Sequence, residues 1–125
     1  MSGPSPTSRS LRLARDGYGW TAQVVERWNP HAGIRQDLFG GIDILAMTDG
    51  GLVGIQACAG SGVASHLDKL AGEPRMAEWL GTGARLEVWG WRKTKVKRGG
   101  VAVRWSVRRV AARLEAGEVR WEEAT

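Results

Sequence analysis

Hydrophobic and polar positions change period several times along this chain, and each change marks an element. Thr7 to Asp16 places Leu11 and Ala14 at helical spacing, with Ser8 or Ser10 positioned to cap, so a short helix is expected, ended by Gly17-Tyr-Gly19. Trp20 to Trp28, carrying Val24 and Val25, reads as a strand broken by Asn29-Pro30. His31 to Gly40 reads as a loop. Two aliphatic runs follow, Ile42 to Met47 and Leu52 to Cys58, joined by Thr48-Asp49-Gly50-Gly51, whose Asp-Gly chemistry predicts a tight hairpin. Side chains alternate along a strand, so Asp43, Gln56 and Cys58 are expected on one face and Ile42, Ile44, Ile55 and Ala57 on the other.

Beyond a turn at Ala59-Gly-Ser-Gly62, the period becomes helical. Val63, Leu67, Leu70 and Ala71 form an apolar stripe, with Ser65, His66 and Lys69 off it. Gly72-Glu-Pro74 interrupts, and Arg75 to Leu80 predicts a second helical piece with Met76, Trp79 and Leu80 inward. Leu86 to Trp91 reads as a strand, Lys93 to Gly100 as a basic hairpin loop, and Val101 to Val107 as an alternating strand. The alternation changes parity at Arg108-Arg109, which predicts a bulge. The order helix, three strands, helix, two strands describes an α/β domain with a central mixed sheet of about five strands flanked by helices.

A chain of 125 residues bounds this to one domain, expected over residues 11–125 behind a flexible lead-in at 1–10. No apolar run approaches the ~18 residues of a membrane span, and the start lacks a secretory apolar segment. One cysteine makes no internal disulfide, and the expectation is a cytoplasmic protein. Charge is more informative than its total of +5, because nine basic residues and no acid fall between Trp89 and Arg113. Arg92, Lys93, Lys95, Lys97, Arg98, Arg104 and Arg108 are candidates for contact with a polyanion, most simply nucleic acid; the alternative is a solvated strand face with a charged hairpin turn.

The hairpin supplies the candidate chemistry. A carboxylate and further oxygen donors on adjacent strands suit a hard cation, Mg²⁺ or Mn²⁺. Asp43 would be the central ligand, Gln56 would add its amide oxygen, and the Ala57 carbonyl a backbone ligand. Asp37 either reaches the same site or stabilises a turn, and Gln56 is equally a ligand or a packed amide. Glu26 is placed to approach from the first strand or to lie on the surface. Cys58 reads as packing, and one Cys with His31 and His66 lacks zinc-ligand spacing. His31 and Arg35 border the Asp37 loop and suit phosphate contacts. Of seven tryptophans, Trp79, Trp105 and one of Trp89 and Trp91 are expected in the core.

From Glu26-Arg-Trp-Asn-Pro-His-Ala-Gly-Ile-Arg-Gln-Asp-Leu-Phe-Gly-Gly-Ile-Asp43, through Gly54-Ile-Gln56, to Trp89-Gly-Trp-Arg-Lys93, the chain resembles the PD-(D/E)XK nuclease superfamily. Within it, the likeness is to Holliday-junction-resolvase-like proteins of phages and actinobacteria. That resemblance implies a restriction-endonuclease-like core, Mg²⁺-dependent endonuclease activity on branched DNA, and a homodimer. Gln56 stands where the superfamily has Glu, and Cys58 where it has Lys. Some members carry the lysine on the following helix, where Lys69 lies, so Asp43, Gln56, Asp37 and Lys69 form the expected catalytic set. The alternative is a DNA-binding accessory protein that keeps the fold without catalysis.

Overall fold

In the computed structural model, which describes residues 3–124, six strands form one mixed sheet and three helices cover its two faces. Helix α1 (Pro6–Arg12) opens on a proline, whose missing N–H is unneeded there, and Ser5 accepts from the Ser8 N–H at 3.1 Å. It passes into a single π turn at Leu13–Gly17. The helix thus starts inside the stretch expected as a lead-in. Ser10 is fully buried and accepts a 2.8 Å bond from Trp91 Nε1. Met1 and Ser2 lie outside the described residues.

The expected strand from Trp20 to Trp28 is split. Strand β1 (Thr21–Val24) pairs antiparallel with residues Ile44–Met47, while β2 (Arg27–Asn29) and β3 (Ile34–Gln36), the latter within the stretch read as loop, form a separate small hairpin. Asp43 is the reason for the break. Its carbonyl accepts from Val25 at 2.8 Å and Glu26 at 3.3 Å, after which the chain leaves the sheet.

Strands β4 (Ile44–Thr48) and β5 (Gly51–Ala59) pair antiparallel around Asp49-Gly50, with Ile44 opposite Ile55. Helices α2 (Val63–Ala71) and α3 (Pro74–Gly81) make the crossover to β6 (Arg85–Lys95), which runs parallel to β5 from Val53–Arg85 to Ala59–Trp91. Strands β7 (Val103–Glu115) and β8 (Glu118–Glu123) complete the order β1-β4-β5-β6-β7-β8. The sheet therefore has six strands rather than about five.

Its two faces carry separate cores. Under α2 and α3 lie Ile42, Cys58, Leu70, Met76, Leu86, Val88 and Val110. Against α1 and the π turn lie Ala14, Ile44, Ala46, Val53, Ile55 and Trp89. Ile42 and Ile44 are thus on opposite faces, because the chain bends at Asp43; strict alternation had placed them together. Gln56 and Cys58 both point to the α2 side, where Cys58 joins the apolar core and Gln56 meets Asp37, Asp43 and Lys69.

No bulge occurs at Arg108-Arg109, since β6 and β7 stay in register from Glu87–Ala111 to Lys95–Val103. The parity change reflects which face is covered: Val107 packs on the α1 side and Val110 under α2 and α3. The tryptophans are also redistributed. Trp89 and Trp91 are both buried, and Trp105, expected in the core, is exposed. Among the described residues no helix is long and apolar enough to cross a membrane.

Gly90 lets α2 approach β6, because a Cβ there would collide with Val63 Cγ2 at the start of the helix. Gly90→Ala is expected to destabilise the fold by about 1–3 kcal/mol, the usual range for overpacking, as read from the urea midpoint.

Candidate metal centre

Five chain segments, that of Asp43 included, meet around Asp43, which is buried at the entry to β4. The first is the end of β1. Val25 and Glu26 bond to the Asp43 carbonyl, and this carries the Glu26 carboxylate to the site. The second is the turn that folds Asp37 back. Leu38 and Ile42 exchange backbone bonds of 2.8 and 3.0 Å, with Phe39 at φ 54° and Gly40 at φ 76°. Asp37 and Asp43, six positions apart in sequence, are thereby brought side by side.

The third segment is Asp43 itself, whose N–H donates to the Ile55 carbonyl at 2.9 Å. The fourth is β5. The Ala57 N–H donates to Asp43 Oδ2 at 2.9 Å, and Gln56 Nε2 donates to the same oxygen at 2.7 Å. Gln56 Nε2 also reaches Asp37 Oδ2 at 3.3 Å. The last segment is α2, from which Lys69 Nζ approaches Asp37 Oδ2 at 3.3 Å and Gln56 Oε1 at 3.4 Å.

Asp43, Asp37, Gln56 and Lys69 are therefore brought together as one cluster. Ala57 joins through its backbone, and on a strand its carbonyl shares the edge on which its N–H meets Asp43. Gln56 uses its amide nitrogen toward Asp43 and turns its oxygen to Lys69, the reverse of the orientation expected for a ligand. Glu26, Asp37 and Asp43 each place one carboxylate oxygen within 4.8 Å of the others, so the cluster could hold a metal ion. Its donors are oxygens, and Cys58 belongs to the apolar core, which suits a hard cation rather than a soft one.

Electrostatics separates the two aspartates. Burial pushes the Asp43 carboxyl up to about 8, helped by a hydrogen bond to Asp37 and by its charge. Burial also acts to raise Asp37, but bonds from Asp43 and Gln56 and the nearby Lys69 ammonium hold it below the usual value. Burial and the closeness of the two carboxyls favour a single proton shared by the pair near neutral pH. Burial, then the charge of Asp43, raises the Cys58 thiol to about 11, so it stays protonated and unreactive at neutral pH. His66, one turn before Lys69, titrates below its ordinary value through burial and then the Lys69 charge.

Beside the cluster runs an open groove of about 530 Å³ lined by Arg27, Arg35, Asp37, Lys69 and Arg75. Arg35 lies 3.9 Å from Glu26, while Arg75 pairs with Glu73. Arg27 and Arg75 escaped the sequence reading, which had no signal to bring β2 and α3 to one groove. His31 lies in an exposed turn whose N–H bonds to Asn29 Oδ1 at 3.0 Å; among the described residues no ion pair or hydrogen bond joins it to the cluster. The basic segment is divided. Arg108 pairs with Glu123, Arg109 with Glu87 in a partly buried aromatic setting, and Arg113 with Glu115. Arg92, Lys93, Lys95, Lys97, Arg98 and Arg104 have no acidic partner among the described residues.

No family model, curated protein or solved structure matches the chain.

The raised Asp43 value fixes the sign of a pH effect. The folded state holds this proton more tightly than the unfolded chain, whose value is 3.8, so its stabilisation is complete below about pH 4. That stabilisation is lost as pH rises toward about 8. Asp43→Asn keeps the acceptor for Ala57 and Gln56 and supplies an N–H to Asp37. It is expected to remove this slope and to stabilise the metal-free protein at pH 8 by about 1–3 kcal/mol, the cost of an unsatisfied buried group. Urea unfolding from pH 4 to 9 in EDTA checks this, and a variant less stable than wild type at pH 8 would contradict it.

Proposed function

We propose that the protein is a divalent-cation-dependent endonuclease of restriction-endonuclease-like fold, acting on branched or otherwise structured DNA. The observation that carries this reading is the convergence of Glu26, Asp37 and Asp43 within 4.8 Å at a buried strand junction, with Lys69 beside them. Structured DNA as substrate, and action as a homodimer, come from the superfamily resemblance. A cytoplasmic setting, in a bacterium or a phage-infected cell, belongs to the same proposal.

Asp43, Asp37, Glu26 and the Ala57 carbonyl would hold Mg²⁺ or Mn²⁺. Such an ion supplies Lewis acidity and a water of lowered pKa for phosphodiester hydrolysis. Gln56 orients Asp43 through its 2.7 Å bond, and it contributes no negative charge where the superfamily has Glu. Lys69, half exposed and 3.3 Å from Asp37, is placed to put positive charge beside a scissile phosphate, as the lysine missing at Cys58 would have done. Arg27, Arg35 and Arg75 along the groove suit the flanking phosphates. Gln56 pointing its nitrogen toward Asp43 favours a second reading, a DNA-binding protein of the same fold without catalysis.

Incubating the full chain with junctions, flaps and single strands in Mg²⁺ or Mn²⁺ tests the choice. Cleavage is expected, reduced more than about 100-fold by Asp43→Asn, beyond the usual cost of losing a metal's outer partner. Lys69→Ala is expected to lose about 100-fold, the scale of removing one preorganised electrostatic group. Gln56→Glu should tighten Mn²⁺ binding in calorimetry. Intact DNA binding with no cleavage of any substrate would establish the non-catalytic reading instead.

A further inference from the structure

Strands β6 and β7 outrun the sheet. The last β5–β6 pair is Ala59–Trp91, and β8 pairs with β7 only from Val110 onward. Beyond Trp91, the pairs Arg92–Ser106, Lys93–Trp105, Thr94–Arg104 and Lys95–Val103 have each other as strand partners and nothing else. A turn over residues 96–102 closes this two-stranded ribbon. Ala57 is two residues short of Ala59, so the ribbon leaves the sheet at the end where the Asp43 cluster sits.

The ribbon is not built like a packing element. Arg92, Lys93, Lys95, Lys97, Arg98 and Arg104 are exposed, no acid occurs between Trp89 and Arg113, and Val96, Val101 and Val103 are also exposed. Its two faces differ. Trp105 lies under the Arg9 guanidinium of α1 at 3.7 Å, so α1 covers the base of the Lys93–Trp105 face. The opposite face carries exposed Arg92 and Arg104 and partly exposed Thr94, with the Gly60 turn beside the base of Arg92.

We propose that this ribbon is a duplex-DNA reader that enters the major groove, with the Arg92–Thr94–Arg104 face toward the base edges. The inference rests on the reading that DNA is the partner, and deepens it by naming B-form duplex and the groove. A major groove about 12 Å wide admits a two-stranded ribbon, whereas a minor groove of about 6 Å does not. In an A-form RNA duplex the major groove is too deep and narrow for side chains to read. Arginine suits guanine O6 and N7, and the apolar tip suits thymine methyl groups. The lysines and Arg98 near the tip meet the phosphates on either side. A second copy of the ribbon is a poor partner, because both would carry the same charge.

The test uses full-length Asp43→Asn protein in EDTA, which separates groove binding from cleavage. Binding is measured to a DNA duplex and an RNA duplex of the same sequence, with dimethyl sulfate footprinting on the DNA. Expected are protection of guanine N7, clear preference for DNA, and a variant with Lys95, Lys97, Arg98 and Arg104 changed to Ser that binds about 100-fold more weakly. That variant should flatten the salt slope by about three units. A thermal melt matching the parent shows that its fold is intact, and the footprint on the unaltered ribbon does not depend on it. Protection confined to adenine N3, equal affinity for RNA, or self-association without DNA binding would overturn the inference. Wild type that cleaves nothing but protects guanine N7 would defeat the catalytic reading and leave this one standing. Cleavage without N7 protection would do the reverse.

Discussion

The carboxyl group of Asp43 is hydrogen-bonded on one oxygen by the Gln56 amide and the Ala57 N–H, and it faces Asp37 across a shared proton. Its backbone is equally committed, accepting from Val25 and Glu26 and donating to Ile55. One residue thus holds β1, the start of β4 and β5 together at the point where the chain bends. Burying an anion there is costly, and the fold meets that cost with a proton. A bound cation is the other way to meet it. The raised Asp43 and the depressed Asp37 express one constraint, in which two close carboxylates cannot both ionise without added positive charge. Lys69 provides part of that charge from α2, whose seat on β6 depends on the bare backbone of Gly90.

The same sheet sorts its remaining charge by use. Arg109 is consumed by Glu87, beneath Tyr18, Trp20 and Trp89, and so braces the α1 face. Arg108 and Arg113 are tied to neighbouring acids at the surface, where such pairs add little stability. Further cations line the groove beside Asp37, where Arg35, Lys69 and Arg75 have acidic partners, and the ribbon beyond Trp91, where none has one among the described residues. Both adjoin the end of the sheet at which the acidic cluster opens, so positive surface flanks a buried negative site. That is the charge arrangement a polyanionic ligand and a small cation would share.

How much of this was legible in the sequence depended on the range of the forces involved. The β4–β5 hairpin, the Val63–Leu67–Leu70 stripe and the partnership of Asp43 with Gln56 follow from local period and turn chemistry, and all are present. Errors arose where the local pattern was overruled. The bend at Asp43 puts Ile42 and Ile44 on opposite faces, which no alternation rule anticipates. The apparent bulge at Arg108-Arg109 was a change in which face the helices cover. Strand β8 is short and charged, and follows an Ala116-Gly117 turn with both residues at positive φ, so neither its period nor its composition announced it. Arg27 and Arg75 joined the site through tertiary packing alone. Trp105 looked like core in an alternating strand because nothing local says that a strand outruns its sheet.

On the proposed reading, a cation takes the place of the proton between Asp37 and Asp43. The most direct measurement is the anomalous scattering of crystals soaked in Mn²⁺. A peak is expected among the carboxylates of Glu26, Asp37 and Asp43 and the Ala57 carbonyl, with no proton shared between Asp37 and Asp43. A site without manganese at saturating concentration, with those carboxyls still bonded to one another, would contradict it.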